Sequence, residues 1–556
     1  MKRTAATDIV TTLAQAGIRY VFGVPGDTSL ALYEALRLSS EVTHVMARDE
    51  RGASYMADVY ARLSGTPGVC EAPSGAGAFY LIPGIAEANA SSIPVIALTT
   101  DIPVRAKGRN VLTEMNQPAL FAPVTKWNTS IHSPERASEA IRKALRVATS
   151  GRPGGAHLAL PEDVLSSSTD DAPPPFGVPQ TGVFPSYRTS TDPGDVVEAA
   201  RLILSAQRPV IVAGGGVMVS AAWAELTRLA EFTGAMVGTS INGKGSIDEN
   251  HPNSLGVVGG NGARPFANDA VSRADLVIFV GCKTDSVTTM KWKLPKPGSV
   301  DVIQIDVDAR ELGVNYQLAA GLAGDARLCL QALVDEIPDL ERQPWLDVAP
   351  LRRQWLAEQR ALVMSDAQPI KPPRVIDTLT RLLPPDAVVV ADAGTGTPLT
   401  AAFHPSPAGR HVVIPRGYGG LGYALPGVLG AALARPDSQV VGLVGDGSFG
   451  MAVGDLETIA RLGIPVLLLQ FNNSTFGWIK ALQRMHCDEN YFGVDFSSDT
   501  DYVAVARGFG VDGVRVEDPG DLEPAIKRGL SEEKPFFIDV VTESEESEPP
   551  PVPDWL

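Results

Sequence analysis

Cysteine is scarce in this 556-residue chain, and what there is lies far apart. Cys70, Cys282, Cys329 and Cys487 make no CxxC pair, which argues against zinc and dithiol redox motifs and leaves reduced, structural thiols. None of the seven histidines adjoins another. Basic residues are in deficit, 47 Lys and Arg against 64 Asp and Glu, for a net charge of -17. That balance lacks the basic footprint expected of a nucleic-acid or anionic-membrane partner. No apolar run reaches transmembrane length. The N-terminal MKRTAATDIVTTLAQAG has the pattern of an amphipathic helix, not of a signal peptide. The expectation is an acidic cytoplasmic enzyme acting on a small molecule, with no nucleic-acid or membrane partner.

What is present is alternation. Short apolar runs read as strands, among them VCEAP (69–73), IPVIALTT (93–100), GGAHLALP (154–161), RPVIVAGGG (208–216), DLVIFVG (275–281), DVIQIDVD (301–308), AVVVADAG (387–394), QVVGLVGDG (439–447) and IPVLLLQFNN (464–473). Stretches such as 137–151 and 221–235 between them carry helical spacing. Continuous apolar strands separated by helices indicate parallel sheets covered on both faces. The fold class is therefore α/β, with about three doubly wound parallel-sheet domains for a chain of this length. A Pro- and Ser-rich stretch at 166–182 and a weaker one at 338–350 read as linkers. They delimit domains at 1–165, 185–340 and 370–545, followed by an acidic, Pro-rich tail at 546–556.

The strongest chemical signal is GDGSFGMAVGDLETIARLGIPVLLLQFNNSTFG, residues 445–477. One strand ends at Gly445-Asp446-Gly447 and the next at Asn472-Asn473, so Asp446 and Asn473 emerge at the same carboxyl edge, where open α/β sheets bind ligands. A carboxylate, an amide oxygen and a nearby backbone carbonyl are the hard donors that magnesium takes, with phosphate and water completing its octahedron. Gly445 and Gly447 let the backbone approach a diphosphate, and a helix beginning after Ser448 favours the anion. GDG alone is an ordinary turn more often than not; GDG with NN at the next strand end is far more specific. A second candidate lies at Arg48-Asp49-Glu50-Arg51, two acids at the start of a helix that Gly65 ends, with Ala53, Ala57, Tyr60 and Leu63 on one face. Acids are common in a helix's first turn, so these residues alone leave structural and chemical roles both open.

With these motifs, nearly the whole chain resembles the thiamine-diphosphate enzymes of the acetolactate synthase and pyruvate decarboxylase superfamily. FGVPGDTSLALYEAL (22–36), PSGAGAFYLIPGIAEANASSIPVIALTTDIP (73–103), SGRPGGAHLALPEDV (150–164) and GYGGLGYALPGVLGAALARPD (417–437) carry the rest of the likeness. The resemblance implies pyrimidine-binding, central and diphosphate-binding domains, thiamine diphosphate and Mg2+ as cofactors, and transferase or lyase chemistry. It makes Glu50 the catalytic carboxylate, hydrogen-bonded to the aminopyrimidine ring nitrogen. It places Pro25 and Gly26 beside the pyrimidine, and Ala393, Gly394, Thr395 and Gly396 beside the diphosphate. Leu421 becomes the apolar wedge under the cofactor, and Asp446, Asn473 and the Thr475 carbonyl become the metal ligands. In this family the glutamate domain of one subunit faces the diphosphate domain of another, so a homodimer or homotetramer with interfacial active sites is expected.

Departures from the family pattern bear on the reaction. Asp49 stands where relatives carry His beside the glutamate, and Tyr80 replaces an Asn. Leu112 and Thr113 replace Phe and Gln. Phe476 and Trp478 follow the metal motif and shape either a substrate pocket or a buried helix face. Asp27 matches an acid of the simple 2-oxo-acid decarboxylases, but their paired histidines are absent and their Glu corresponds to Ile479. Without those groups, protonation after decarboxylation is harder, which favours carboligation, although Asp27, His44 or Glu114 offers a proton from elsewhere. The leading reading is an acetolactate synthase-like carboligase or acyl transferase acting on a 2-oxo acid. The alternatives are a non-oxidative decarboxylase, a flavin-dependent oxidase of the same fold, or a binding protein with a retired site. RPVIVAGGG leaves FAD or ADP in the central domain possible and neither assigned, since GGG after a strand is more often a tight turn.

Overall fold

The computed structural model describes residues 3–169, 179–340 and 342–544. The tail at 546–556 and most of the first linker lie outside the described residues. Three six-stranded sheets, all parallel, carry the chain. The first contains β1 (Tyr20–Gly23), β2 (Thr43–Met46), β3 (Gly68–Ala72), β4 (Val95–Asp101), β5 (Trp127–Ser130) and β6 (Ala156–Pro161), in the order β2-β1-β3-β4-β6-β5. The second contains β7 (Pro209–Ala213), β8 (Met236–Thr239), β9 (Ser254–Val257), β10 (Leu276–Val280), β11 (Asp301–Asp306) and β12 (Ala320–Ala323), in the order β12-β11-β10-β7-β8-β9. The third contains β13 (Val388–Ala391), β14 (Val412–Val413), β15 (Val440–Gly445), β16 (Val466–Asn472), β17 (Asp512–Val516) and β18 (Phe536–Val541), in the order β14-β13-β15-β16-β18-β17. Each sheet grows one way from its first strand and then reverses, which creates a switch point: β1/β3, β7/β10 and β13/β15.

The strands read as apolar runs because both faces are covered; β3, β4, β7, β10 and β16 are buried along their whole length. The chain forms two compact units. One comprises residues 1–187, 415–437 and 452–464 and contains the first sheet. The other comprises 188–414, 438–451 and 465–556, with the second and third sheets. Those two sheets fall in one unit because a single apolar cluster runs from Val210, Val212 and Phe279 to Val389, Leu443 and Leu469. Buried Arg264 adds to this by donating to the Ala402 carbonyl.

In the first unit, helix Glu50–Ser64 is enclosed rather than one-sided: every residue from Gly52 to Ala61 is buried. Helix Ala76–Ala90 approaches so closely that a Cβ at Gly84 would overlap the Ser54 hydroxyl. Helix Ala424–Ala434 approaches likewise, with Gly430 against the Met56 carbonyl. Gly65 ends the helix in the left-handed conformation at φ 76°, where a side chain would be strained.

Candidate active site

In the first unit, the β1/β3 switch point gathers the loop after β1, the loop after β3 and the start of the Glu50 helix. Asp49 is the N-cap: its carboxylate accepts from the Arg51 N–H at 2.7 Å, and Arg51 Nη2 lies 3.4 Å from its other oxygen. The unusual acid thus has a structural role, since Asp is among the best caps. The preceding turn is held by Asp455, which accepts from the Arg48 N–H at 2.8 Å, while the Arg48 guanidinium reaches Glu457 at 3.6 Å. Asp455 is buried against Gly52, and burial pushes its carboxyl up to about 7.

Glu50 opens the helix with its carboxylate beside Gly77 and Pro73; a Cβ on Gly77 would sit 2.9 Å from Glu50 Oε1. Burial raises its proton affinity and the Asp49 charge adds to this, against a hydrogen bond from its own main-chain N–H. Gly26 packs on Pro73, and its N–H donates to the Ser29 hydroxyl at 2.9 Å. Pro25 and Asp27 are exposed beside it. Thr28 bonds Thr100 and Ser74, and Ser74 bonds Thr113 at 2.7 Å, so Thr113 is tied to the same loops. Tyr80 and Leu112 point to solvent, at 55% and 84% exposure.

The stretch leading to Leu421 is anchored by a buried acid. Glu87 accepts from the main-chain N–H groups of Gly417, Tyr418 and Gly419 at 2.8, 2.7 and 3.3 Å. It also receives the Ser91 hydroxyl and pairs with Arg62, which in turn pairs with buried Asp58. Tyr423 donates to Asp58 at 2.5 Å. Half-buried Leu421 therefore sits between two fixed points.

In the second unit, the β13/β15 switch point holds the other candidates. Gly394 takes φ +92° in the turn after β13, and neither it nor Gly445 has an atom within 4 Å of where a Cβ would stand. That open backbone is what an approaching phosphate requires. Asp446 is buried at the end of β15; its carboxylate accepts from Gly447 N at 2.7 Å, Asn473 N at 3.0 Å and Ser474 N at 2.6 Å. Asp446 and Asn473 are thus brought together as their strand ends require. Asn473 Oδ1 accepts weakly from Thr475 N at 3.3 Å, and the Thr475 hydroxyl turns away to the Val494 carbonyl. The helix here begins at Asp446 itself, three residues earlier than expected, which places Gly447 and Ser448 inside its first turn.

Three domain families match the chain: thiamine pyrophosphate enzyme N-terminal TPP binding domain over residues 3–120, central domain over 196–333, and C-terminal TPP binding domain over 392–540. The probable acetolactate synthase large subunit of Methanocaldococcus jannaschii is 34% identical over 98% of this chain and 93% of its own length. The corresponding Methanococcus aeolicus protein is 33% identical over 96% and 91%. Acetolactate synthase isozyme 3 large subunit of Escherichia coli is 30% identical over 98% and 95%.

The chain belongs to the thiamine pyrophosphate enzymes.

Its residues fit that cofactor. The open glycines at 394 and 445 leave the backbone accessible to a diphosphate, and Asp446 and Asn473 bring oxygen-bearing side chains to the same strand edge. Ala393 and Thr395 flank the turn and are half-buried, and Gly396 begins the next helix. The Phe476 ring lies against Gly447, 2.6 Å from a would-be Cβ, and edge-on to Phe496. Trp478 is half-buried on helix Gly477–His486, and Ile479 is exposed.

In this thiamine pyrophosphate enzyme the glycine triplet of the second sheet has a packing explanation. Gly214 and Gly216 touch the main chain of Gly281 across the β7/β10 switch point, where side chains would collide. Among the described residues no helix is long and apolar enough to cross a membrane. Sequence reasoning passed over Asp455, Glu87 and Glu71. Glu71 carried a readable signal: a single acid inside the apolar run VCEAP.

Proposed function

We propose that the protein is a thiamine-diphosphate- and Mg2+-dependent carboligase or acyl transferase acting on a 2-oxo acid, of the acetolactate synthase kind. The observation that carries this reading is Glu50. It is a half-buried carboxyl with raised proton affinity, aimed past Gly77 at a switch point, in a chain similar to acetolactate synthases over nearly its full length. When bound, the cofactor supplies an electron sink for the carbonyl carbon. The chain's own part is to position and to hold protons. Glu50 shares a proton with the ring nitrogen, Leu421 orients the rings, and Gly394 and Gly445 admit the diphosphate. Asp446, Asn473 and the Thr475 carbonyl hold the magnesium ion. Substrate selection falls to Asp27, Tyr80, Leu112, Thr113, Phe476, Trp478 and Ile479. Ile479, where decarboxylases place an acid, supports ligation over simple decarboxylation. We also propose a cytoplasmic homodimer or homotetramer, in which Glu50 of one subunit serves a cofactor held by another.

The test is a product screen by mass spectrometry, using holoenzyme with a panel of 2-oxo acids and aldehydes. A ligated product is expected; free aldehyde as the sole product refutes carboligation. Glu50→Gln should leave the fold intact and nearly abolish turnover.

A further inference from the structure

Behind Glu50 lies a second acid that the proposed reaction does not use. Glu71 is the penultimate residue of β3 and is fully buried. Its carboxyl reaches across β1, where Gly23 is its neighbour in the sheet and a Cβ would overlap Glu71 Oε1. Glycine there is what allows an acid to lie across the strand. The Tyr33 hydroxyl, from helix Leu30–Leu38, donates to Glu71 Oε1. Tyr33 Oη lies 2.9 Å from His44 Nε2 on β2. Among the described residues Glu71 Oε2 has no hydrogen-bond partner. A fully buried carboxylate with an unpartnered oxygen and no cation beside it costs far more than the same carboxyl kept neutral by a proton.

The surroundings agree. Burial raises Glu71 to about 8, with the Tyr33 hydrogen bond opposing and the Glu50 charge adding. Burial holds His44 down at about 4, with Arg461 contributing, so it is neutral and adds no positive charge. Burial, then the Glu71 and Glu50 charges, hold the Tyr33 proton in place. Beside Glu71, β4 sets Leu98 and β3 itself sets Cys70, whose thiol burial keeps protonated. Of the other charged groups on the neighbouring helices, Arg51 pairs with Asp49, while Asp58, Arg62 and Glu87 pair among themselves. The carboxylate whose charge bears on Glu71 is therefore Glu50, which in turn feels the charge of Asp49.

We propose that Glu71 is a positioning residue for Glu50. The buried His44–Tyr33–Glu71 chain stores a proton behind the cofactor-facing carboxyl, so that the pair Glu50/Glu71 carries one negative charge between them. Like-charged acids in one low-dielectric site ionise in two separated steps that belong to the pair. The outer acid, Glu50, ionises first and Glu71 keeps its proton; loss of that second proton to solvent puts two anions beside the ring. This rests on Glu50 being the carboxylate that meets the cofactor.

The experiment follows kcat/KM with pH. It also follows, by calorimetry in two buffers of different ionisation enthalpy, the protons exchanged when thiamine diphosphate binds with Mg2+. Wild type should show a step near pH 8 in both. Glu71→Gln, which keeps the acceptor for Tyr33, should lose the step. Tyr33→Phe, which removes the hydrogen bond that lowers Glu71, should move it to higher pH. A step unchanged in both variants overturns the proposal, as does a uniform loss of activity at every pH. If Glu50→Gln turns over normally, the functional reading has failed instead. An inactive Glu50→Gln with an unmoved step in Glu71→Gln removes this inference alone.

Discussion

Removing the Glu87 carboxylate should detach the Leu421 stretch from its support. Burial alone would push this acid up, but Arg62 and the N–H donors of Tyr418 and Gly417 outweigh it and hold it below its ordinary value. Glu87 is therefore an anion that the fold depends on. Hydrogen bonds to a charged group contribute ~1.5–3 kcal/mol each, and breaking one side of a buried ion pair costs ~3–5 kcal/mol. These terms overlap, because Arg62 keeps Asp58 and losing the Glu87 charge relieves Asp58. Glu87→Ala should cost ~3–5 kcal/mol. Glu87→Gln, which keeps one accepting oxygen but sets an NH2 among N–H donors, should cost ~2–3 kcal/mol. That is a large share of a typical stability of ~5–15 kcal/mol. The assay is urea unfolding followed by far-ultraviolet circular dichroism, paired with calorimetric titration of thiamine diphosphate. The expected result is an earlier midpoint and an affinity weakened roughly tenfold, since a factor of ten is only ~1.4 kcal/mol of lost positioning. A Glu87→Gln protein with wild-type midpoint and wild-type affinity would refute the reasoning.

Three further outcomes are expected. Asp58, Glu71 and Asp455, buried acids raised to about 6, 8 and 7, hold protons more tightly folded than unfolded. Stability should therefore fall as pH rises from about 4 through about 8, and Glu71→Gln should flatten that slope in denaturant titrations at successive pH values. Gly77→Ala places a methyl 2.8 Å from Pro73 and 2.9 Å from Glu50 Oε1, so turnover should drop at least tenfold while thermal stability changes by only ~1 kcal/mol. Asp446→Asn should raise the Mg2+ concentration needed for half-maximal activity by an order of magnitude or more, with an unchanged circular dichroism spectrum.

The sequence by itself determined the periodicity and the punctuation. Runs such as VCEAP and IPVLLLQFNN are strands because a strand buried on both faces must be apolar throughout, and that pattern is local. Gly65 ends its helix, and Asp446 and Asn473 come together, because strand ends and left-handed glycines are also local rules. Local pattern could not separate the acids at the β1/β3 switch point. Asp49 and Glu50 are neighbours of similar chemistry, and only the folded chain turns one into a cap and aims the other past Gly77. Asp455 and Glu87 read as ordinary helical acids until the main-chain N–H groups they accept, more than three hundred residues away in sequence, are seen. Glu71 acquires its significance from Gly23, Tyr33 and His44, none of them close to it in the chain. A carboxyl's role depends on its desolvation and its hydrogen-bond partners, and both are properties of the tertiary structure.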